Sequence, residues 1–326
     1  MEIKEMQRKY IHLVVLAFII LTGCEKQIEL DLPSVGSKLV VDGWLSSEPD
    51  EDGGERLQKV RLTQSIPYFE TKDYPVVKDA QVILKDNKGN AFSMTYTVPL
   101  VYDPNLGKEV ADEKKGRYEL RKNLEMNTSY TLYIKTADGQ EYESTSQEVT
   151  DYIYAPKIFV EYRDANSSID EDEGYYVNFE PKYVDEGDFY FCWELYKIES
   201  YTDWSDPENP KEVTYSYSYS NLLFGSNVYT SVGESETQFD LNVMQGERYF
   251  IKQHVIARGV YDFLRLAEEQ RDNEGTQFSP PPAPLRSNVK RIGGKTLDDD
   301  ALGYFIISSV QRTDIITISE SVKAIN

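Results

Sequence analysis

Leu21-Thr22-Gly23-Cys24 is the one place in this chain where residue types and spacing prescribe a particular reaction. Lys4, Arg8 and Lys9 precede an apolar run from Ile11 to Leu21, broken only by His12, and small residues then lead to the cysteine. That is the order of a secretory signal, here with a lipoprotein cleavage site. The expected chemistry is a thioether between the Cys24 thiol and a diacylglycerol, cleavage before Cys24, and acylation of the freed amine. The 11 residues of the apolar run are too few to span a bilayer core that needs about 20. A short anchor or a buried first helix is the competing reading, and the cysteine spacing weighs against it. Two or three acyl chains hold a protein firmly on a membrane, since each buried methylene contributes about 0.8 kcal/mol.

Elsewhere the reactive residues are sparse. After removal of residues 1–23, His254 is the only histidine, and Cys192 is the only thiol besides the acylated Cys24. His254 lies in Phe250-Ile251-Lys252-Gln253-His254-Val255-Ile256, where alternation gives it a face shared with Phe250 and Ile256, so a packed or rim histidine is expected. A Ser-His-Asp site could use no other histidine, and no Gly-x-Ser-x-Gly elbow occurs. Cys192, between Phe191 and Trp193, reads as a small core residue. One cysteine and one histidine cannot supply a usual zinc site, and no phosphate-cradling loop appears. No cofactor is therefore expected.

Carboxylates are abundant. Asp50-Glu51-Asp52, Asp170-Glu171-Asp172-Glu173 and Asp298-Asp299-Asp300 could take adventitious or structural calcium. None has the EF-hand pattern, because a loop beginning at Asp164 would place Ile169 where glycine is required. Acidic runs in loops are usually solvated. A glycosidase needs only two carboxylates at a separation that sequence does not show, so a carboxylate-based hydrolase acting on glycan or peptide stands as the alternative to a binding protein. The best hint of binding is aromatic. Tyr215, Tyr217 and Tyr219 alternate with Ser216, Ser218 and Ser220 and should line one sheet face, next to a loop at 201–210 centred on Trp204. The competing reading is a half-buried strand whose phenols cover the core; with Trp204 the row marks residues 201–230 as the candidate contact surface.

The elements that must position these residues are strands nearly throughout. Seven short alternating segments between 38 and 149, with turn clusters at Asp86-Asn87-Lys88-Gly89-Asn90 and Asp138-Gly139, predict an antiparallel immunoglobulin-like sandwich. Trp44, in the first of them, is expected in its core. Strands resume beyond Tyr152-Ile153-Tyr154-Ala155-Pro156, and one helix is expected at 259–271, with Val260, Phe263, Leu264 and Ala267 on one face. The expected organisation is a signal peptide at 1–23, a tether at 24–37, a sandwich at 38–150, and a larger β-rich domain with the packed helix at 151–326. The formal charge of −21 becomes −22 when the signal's three basic and two acidic residues are removed. Such a chain repels nucleic acid. With no second free thiol, no internal disulfide forms and packing must supply the stability.

Lys38-Leu39-Val40-Val41-Asp42-Gly43-Trp44-Leu45, Val60-Arg61-Leu62-Thr63-Gln64-Ser65-Ile66-Pro67-Tyr68-Phe69, Pro280-Pro281-Pro282, Ser287-Asn288-Val289 and Leu302-Gly303-Tyr304-Phe305, all behind a lipobox, resemble the Bacteroidota lipoproteins of domain-of-unknown-function family 4249. Val77 to Val82 and Gly116 to Leu120 are also similar to transthyretin-like modules of outer-membrane import systems. The resemblance implies an outer-membrane lipoprotein, often encoded beside a TonB-dependent receptor, with no known reaction or ligand. The resulting expectation is a non-catalytic, mainly β lipoprotein that binds a partner as an accessory to a TonB-dependent transporter. Whether it faces the periplasm or the medium stays open.

Overall fold

The computed structural model describes residues 36–50, 53–67, 73–165, 172–182, 187–203, 206–216, 223–226, 238–272 and 284–319, with backbone alone for those between 201 and 242. Cys24, the signal and the tether lie outside the described residues. Alternation does most of the folding. Leu39–Ser46 buries Leu39, Val41 and Leu45 on one face and turns Val40, Asp42 and Trp44 to the other; Leu57–Gln64 likewise buries Val60 and Leu62 and turns out Lys59 and Arg61. The chain is mainly β, as this pattern predicts.

The strands form one long curled sheet, built outward from Leu39–Ser46. On one side it runs through Leu57–Gln64, Arg117–Arg121, Ala91–Thr97, Gln81–Asp86, Thr128–Lys135 and Glu141–Ser144 to Val289–Arg291. The sheet folds over on itself at Ala91–Thr97, which pairs with Gln81–Asp86 through Ala91 to Met94 and with Arg117–Arg121 through Thr95 to Thr97. Val41, Leu62, Leu84, Tyr130, Leu132 and Ile134 fill the space enclosed. On the other side the sheet runs through Leu302–Arg312, Arg248–Ile256 and Tyr190–Asp203 to the edge strand Asp206–Ser216. Trp193, Phe179, Phe191 and Ile251 form a second core. The helix Arg258–Asp272, expected at 259–271, packs Val260 and Tyr261 against Tyr190, Cys192 and Ile306 in a third, with Phe263 against Tyr304 at 4.3 Å between ring centroids.

The strand pairing crosses the expected break at 150. Leu302–Arg312 lies parallel to Leu39–Ser46, from Val40 opposite Leu302 to Ser46 opposite Ser308, and Val289–Arg291 pairs with Glu141–Ser144. Val289, Phe305 and Ile307 belong to the first core, whereas Tyr152 belongs to the second. The change of unit at Tyr152 is thus visible in the cores, but the last part of the chain returns to close the first. Gly303 makes that return feasible: its φ is +74°, and a Cβ there would stand 2.1 Å from the Val41 carbonyl oxygen. Only glycine meets both conditions without strain.

Two buried amides complete the returning strand. Leu302–Arg312 meets Arg248–Ile256 only from Ser308 onward, which leaves the backbone of 305–307 to be satisfied otherwise. Asn288 accepts from the Phe305 N–H at 2.9 Å and donates to its carbonyl at 2.7 Å. Gln147 donates to the same carbonyl at 2.6 Å and accepts from the Ile307 N–H at 3.2 Å.

Candidate functional site

Antiparallel partners share a face, so the register places Asp42 opposite Arg61 and Lys59 opposite Glu119 on the side of the sheet turned away from the first core. Trp44 stands two residues along from Asp42. Over these side chains lies a short 3-10 turn, Glu113–Lys115, capped by Asp112, whose Oδ1 accepts from the Lys114 N–H. Arg61 holds the turn down by donating from Nη2 to the Lys114 carbonyl at 2.8 Å. The result is a pocket of about 580 Å³ lined by Asp42, Trp44, Lys59, Arg61, Asp112, Lys114, Lys115 and Arg117.

The charges of this pocket are unevenly neutralised. Lys114 pairs with Asp73 at 2.7 Å, Lys115 with Asp112 at 3.5 Å, and Arg117 with Glu119 at 2.7 Å. Neither Lys59 nor Arg61 has a carboxylate within 4 Å among the described residues, and Arg61 Nε is buried without a hydrogen-bond partner. More than a third of the Lys59 surface is exposed, yet partial burial of its ammonium, and next the Arg117 guanidinium, lower its pKa. Asp112 is occupied by its cap and by Lys115, which leaves Asp42 as the uncommitted carboxylate of the lining.

On the same sheet face, beyond Trp44, runs a buried polar chain. The Trp44 indole donates to Ser308 Oγ at 2.9 Å, Ser308 Oγ lies 3.1 Å from His254 Nδ1, and His254 Nε2 lies 3.4 Å from Glu194 Oε2. Nε2 makes no hydrogen bond across that last approach by geometric criteria among the described residues. Glu194 also accepts from the Tyr196 hydroxyl at 2.6 Å. Burial pushes the Glu194 carboxyl up, but His254, Tyr196 and Lys252 outweigh it and leave its pKa below the ordinary value. Serine, histidine and glutamate in sequence have the composition of a nucleophilic triad. Ser308 has no exposed surface, however, and its oxygen already receives the indole proton. A substrate carbonyl has no path to it in this arrangement.

Cys24, Trp204, Tyr217 and Tyr219 lie outside the described residues. Tyr215 is in the edge strand, opposite Lys197. The loop expected at 201–210 is instead largely a hairpin, with Asp203 opposite Asp206 and the strand continuing through Pro207 and Pro210. Proline is tolerated there because an edge strand can leave one row of N–H positions unused. Trp44 is only half-buried and faces away from the sandwich core, its ring centroid 5.0 Å from that of His254 in an edge-to-face arrangement. Cys192 is fully buried and its thiol pKa is raised by that burial. In the third acidic run, Asp299 accepts from the Lys295 and Thr296 N–H groups and Asp300 pairs with Lys290 at 2.9 Å. Among the described residues, no group of three or more His, Cys, Asp or Glu side chains is placed to hold a metal ion, and no helix is long and apolar enough to cross a membrane.

Sequence reasoning missed the pocket and a second hairpin, Leu100–Asp103 with Lys108–Ala111, on which Leu100, Tyr102 and Leu106 are exposed. The only signal for the pocket was the pair Lys59 and Arg61 on the outward face of one strand, a pattern that solvated strands share.

The family model for domain of unknown function 4249 matches residues 25–314. A search of the curated proteins finds none that matches the chain.

Proposed function

The chain belongs to domain-of-unknown-function family 4249, and from its site we propose that it is a non-catalytic envelope lipoprotein, anchored in the outer membrane through Cys24, which binds a ligand or partner there as an accessory to a TonB-dependent transporter. The observation that carries the binding half is the pocket over Asp42, Trp44, Lys59 and Arg61. Its walls are set by sheet register and by the Arg61 bond to the 112–115 turn, so it is formed in advance of any ligand, and its size is that of a small-molecule site. Its chemistry favours holding over reacting. Acid-base hydrolysis of a glycoside needs two available carboxylates, and here Asp112 is tied to the turn that it caps. The anchoring half rests on Leu21-Thr22-Gly23-Cys24 and the positive segment before it. Placement beside a transporter rests on the family resemblance, and the surface around Trp204, Tyr215, Tyr217 and Tyr219 is its proposed contact.

Membrane fractionation with an alkaline wash, combined with a hydrolysis assay, tests this reading. The wild-type protein should stay with the membranes, and Cys24→Ala should either enter the soluble fraction or persist as unprocessed precursor, with the folded part unchanged. Firm, alkali-resistant association of a normally processed Cys24→Ala protein contradicts the anchor. Turnover of a glycan or peptide by the wild type, lost in a folded Asp42→Asn variant, replaces the binding reading with the carboxylate-based hydrolase.

A further inference from the structure

The pocket's charge opposes the charge of the molecule that carries it. Its lining holds five cations against two carboxylates, in a chain whose formal charge is −21. We propose that this pocket binds a small polyanion, a molecule bearing two or more carboxylate or phosphate groups, through Lys59, Arg61 and Arg117 with Lys115 at the rim. The inference rests on the binding reading above and names the chemistry of what is bound.

Several independent features converge on it. Gathering like charges on one sheet face costs free energy, because cations directly opposite or diagonal to one another repel. Lys59 shows that repulsion: Arg117 is the leading charge among those that depress its pKa, after partial burial. Glu119, opposite Lys59 and paired with Arg117, offsets part of that repulsion, and a bound anion offsets the remainder. Arg61 has the geometry to meet it, since a guanidinium is a rigid fork suited to carboxylate or phosphate oxygens. Its Nη2 bond to the Lys114 carbonyl fixes the fork in place, and no carboxylate within 4 Å among the described residues neutralises it.

Size and field decide which anions qualify. A volume of about 580 Å³ suits a compact molecule of small-ligand size. An extended polyanion such as nucleic acid would lie across the acidic remainder of the surface and be repelled. A ligand confined to the pocket is shielded from distant charges, since the Debye length is about 8 Å at physiological salt. The local positive charge then governs binding while the net charge does not.

Isothermal titration of the full-length, detergent-solubilised protein tests the inference, with citrate as the carboxylate probe, inorganic pyrophosphate as the phosphate probe and maltose as the uncharged control. Saturable one-to-one binding of citrate or pyrophosphate, weakening as salt rises, and none of maltose, is the expected result; the tighter of the two anions shows which group the pocket prefers. Lys59→Gln should weaken that binding about tenfold, the lower end of what a hydrogen bond to a charged group contributes. This variant is decisive, because Lys59 makes no side-chain hydrogen bond or ion pair among the described residues, whereas Arg61→Gln also releases the 112–115 turn. Absence of saturable binding to either anion, or an unchanged affinity in folded Lys59→Gln, overturns the proposal. Those results leave anchoring and transporter association standing, since both are read from membrane fractions without these probes.

Discussion

Glu194 faces His254 Nε2 across 3.4 Å and accepts the Tyr196 hydroxyl, while Ser308, on the other side of the imidazole, receives the Trp44 indole proton. These residues belong to four different strands and meet only because the sheet register aligns them on one face. The chain of contacts ties the helix-covered side of the sheet to the wall of the pocket. Its pH dependence follows from Glu194. A carboxyl whose pKa is lower in the folded state than in the unfolded chain contributes stability that is complete above the ordinary value of 4.5 and is lost as pH falls through the lowered one. Glu194→Gln removes that contribution. The variant should therefore melt below the wild type at neutral pH, and the gap should narrow at an acidic pH below the ordinary value of 4.5. Thermal unfolding at the two pH values measures this, and a gap that does not change with pH rules out the linkage. Charge and burial at single residues were partly legible in sequence. The buried, unreactive Cys192 follows from the aromatic residues on either side of it, and the packing of His254 from its strand face. The His254 partners, 54 and 60 positions away in sequence for Ser308 and Glu194, follow from no local pattern.

Strands and the helix were legible where alternation or the 3.6-residue period is strong, from Leu39–Ser46 through Arg248–Ile256 to the helix Arg258–Asp272. The hairpin at 100–111 was not, because Asp103 to Gly107 looks like part of a long polar loop and Leu100, Val101 and Val110 are too few to show a period. Pro207 and Pro210 disguised the edge strand in the same way. The most consequential element is the returning strand Leu302–Arg312, which needs Gly303 to approach Leu39–Ser46 and Asn288 to satisfy Phe305. Asn288→Ala would leave a buried N–H without its acceptor and remove one of two donors from the Phe305 carbonyl. Stranding a buried polar group costs about 1–3 kcal/mol. Denaturant unfolding of Asn288→Ala should show a loss of about 2 kcal/mol, with the first sandwich opening together with the C-terminal strand. Unchanged stability would show that water or a neighbouring side chain replaces the amide.

At the scale of the whole molecule, a two-part reading at 150 fails to anticipate the closure of the first core by Val289, Phe305 and Ile307. A period of two tells which face a residue occupies and leaves the neighbouring strand unspecified, so a parallel pairing between the two ends of the described chain has no sequence signature. The pocket is invisible for the same reason. Lys59, Arg61 and Arg117 are ordinary outward-facing residues until Leu57–Gln64 is set between Leu39–Ser46 and Arg117–Arg121. What the sequence does carry is the family, in its strand motifs, and Leu21-Thr22-Gly23-Cys24 supports the proposed address. Together they lead to the proposed role of a lipid-anchored binding protein working beside a transporter. Its most direct test is mass spectrometry of what co-purifies with the tagged full-length lipoprotein from detergent-solubilised outer membranes. A TonB-dependent receptor enriched over an untagged control, and diminished in the Trp204→Ala and Tyr217→Ala double variant, is the result predicted. Recovery of the anchored, folded protein with no outer-membrane transporter enriched is the result that contradicts it.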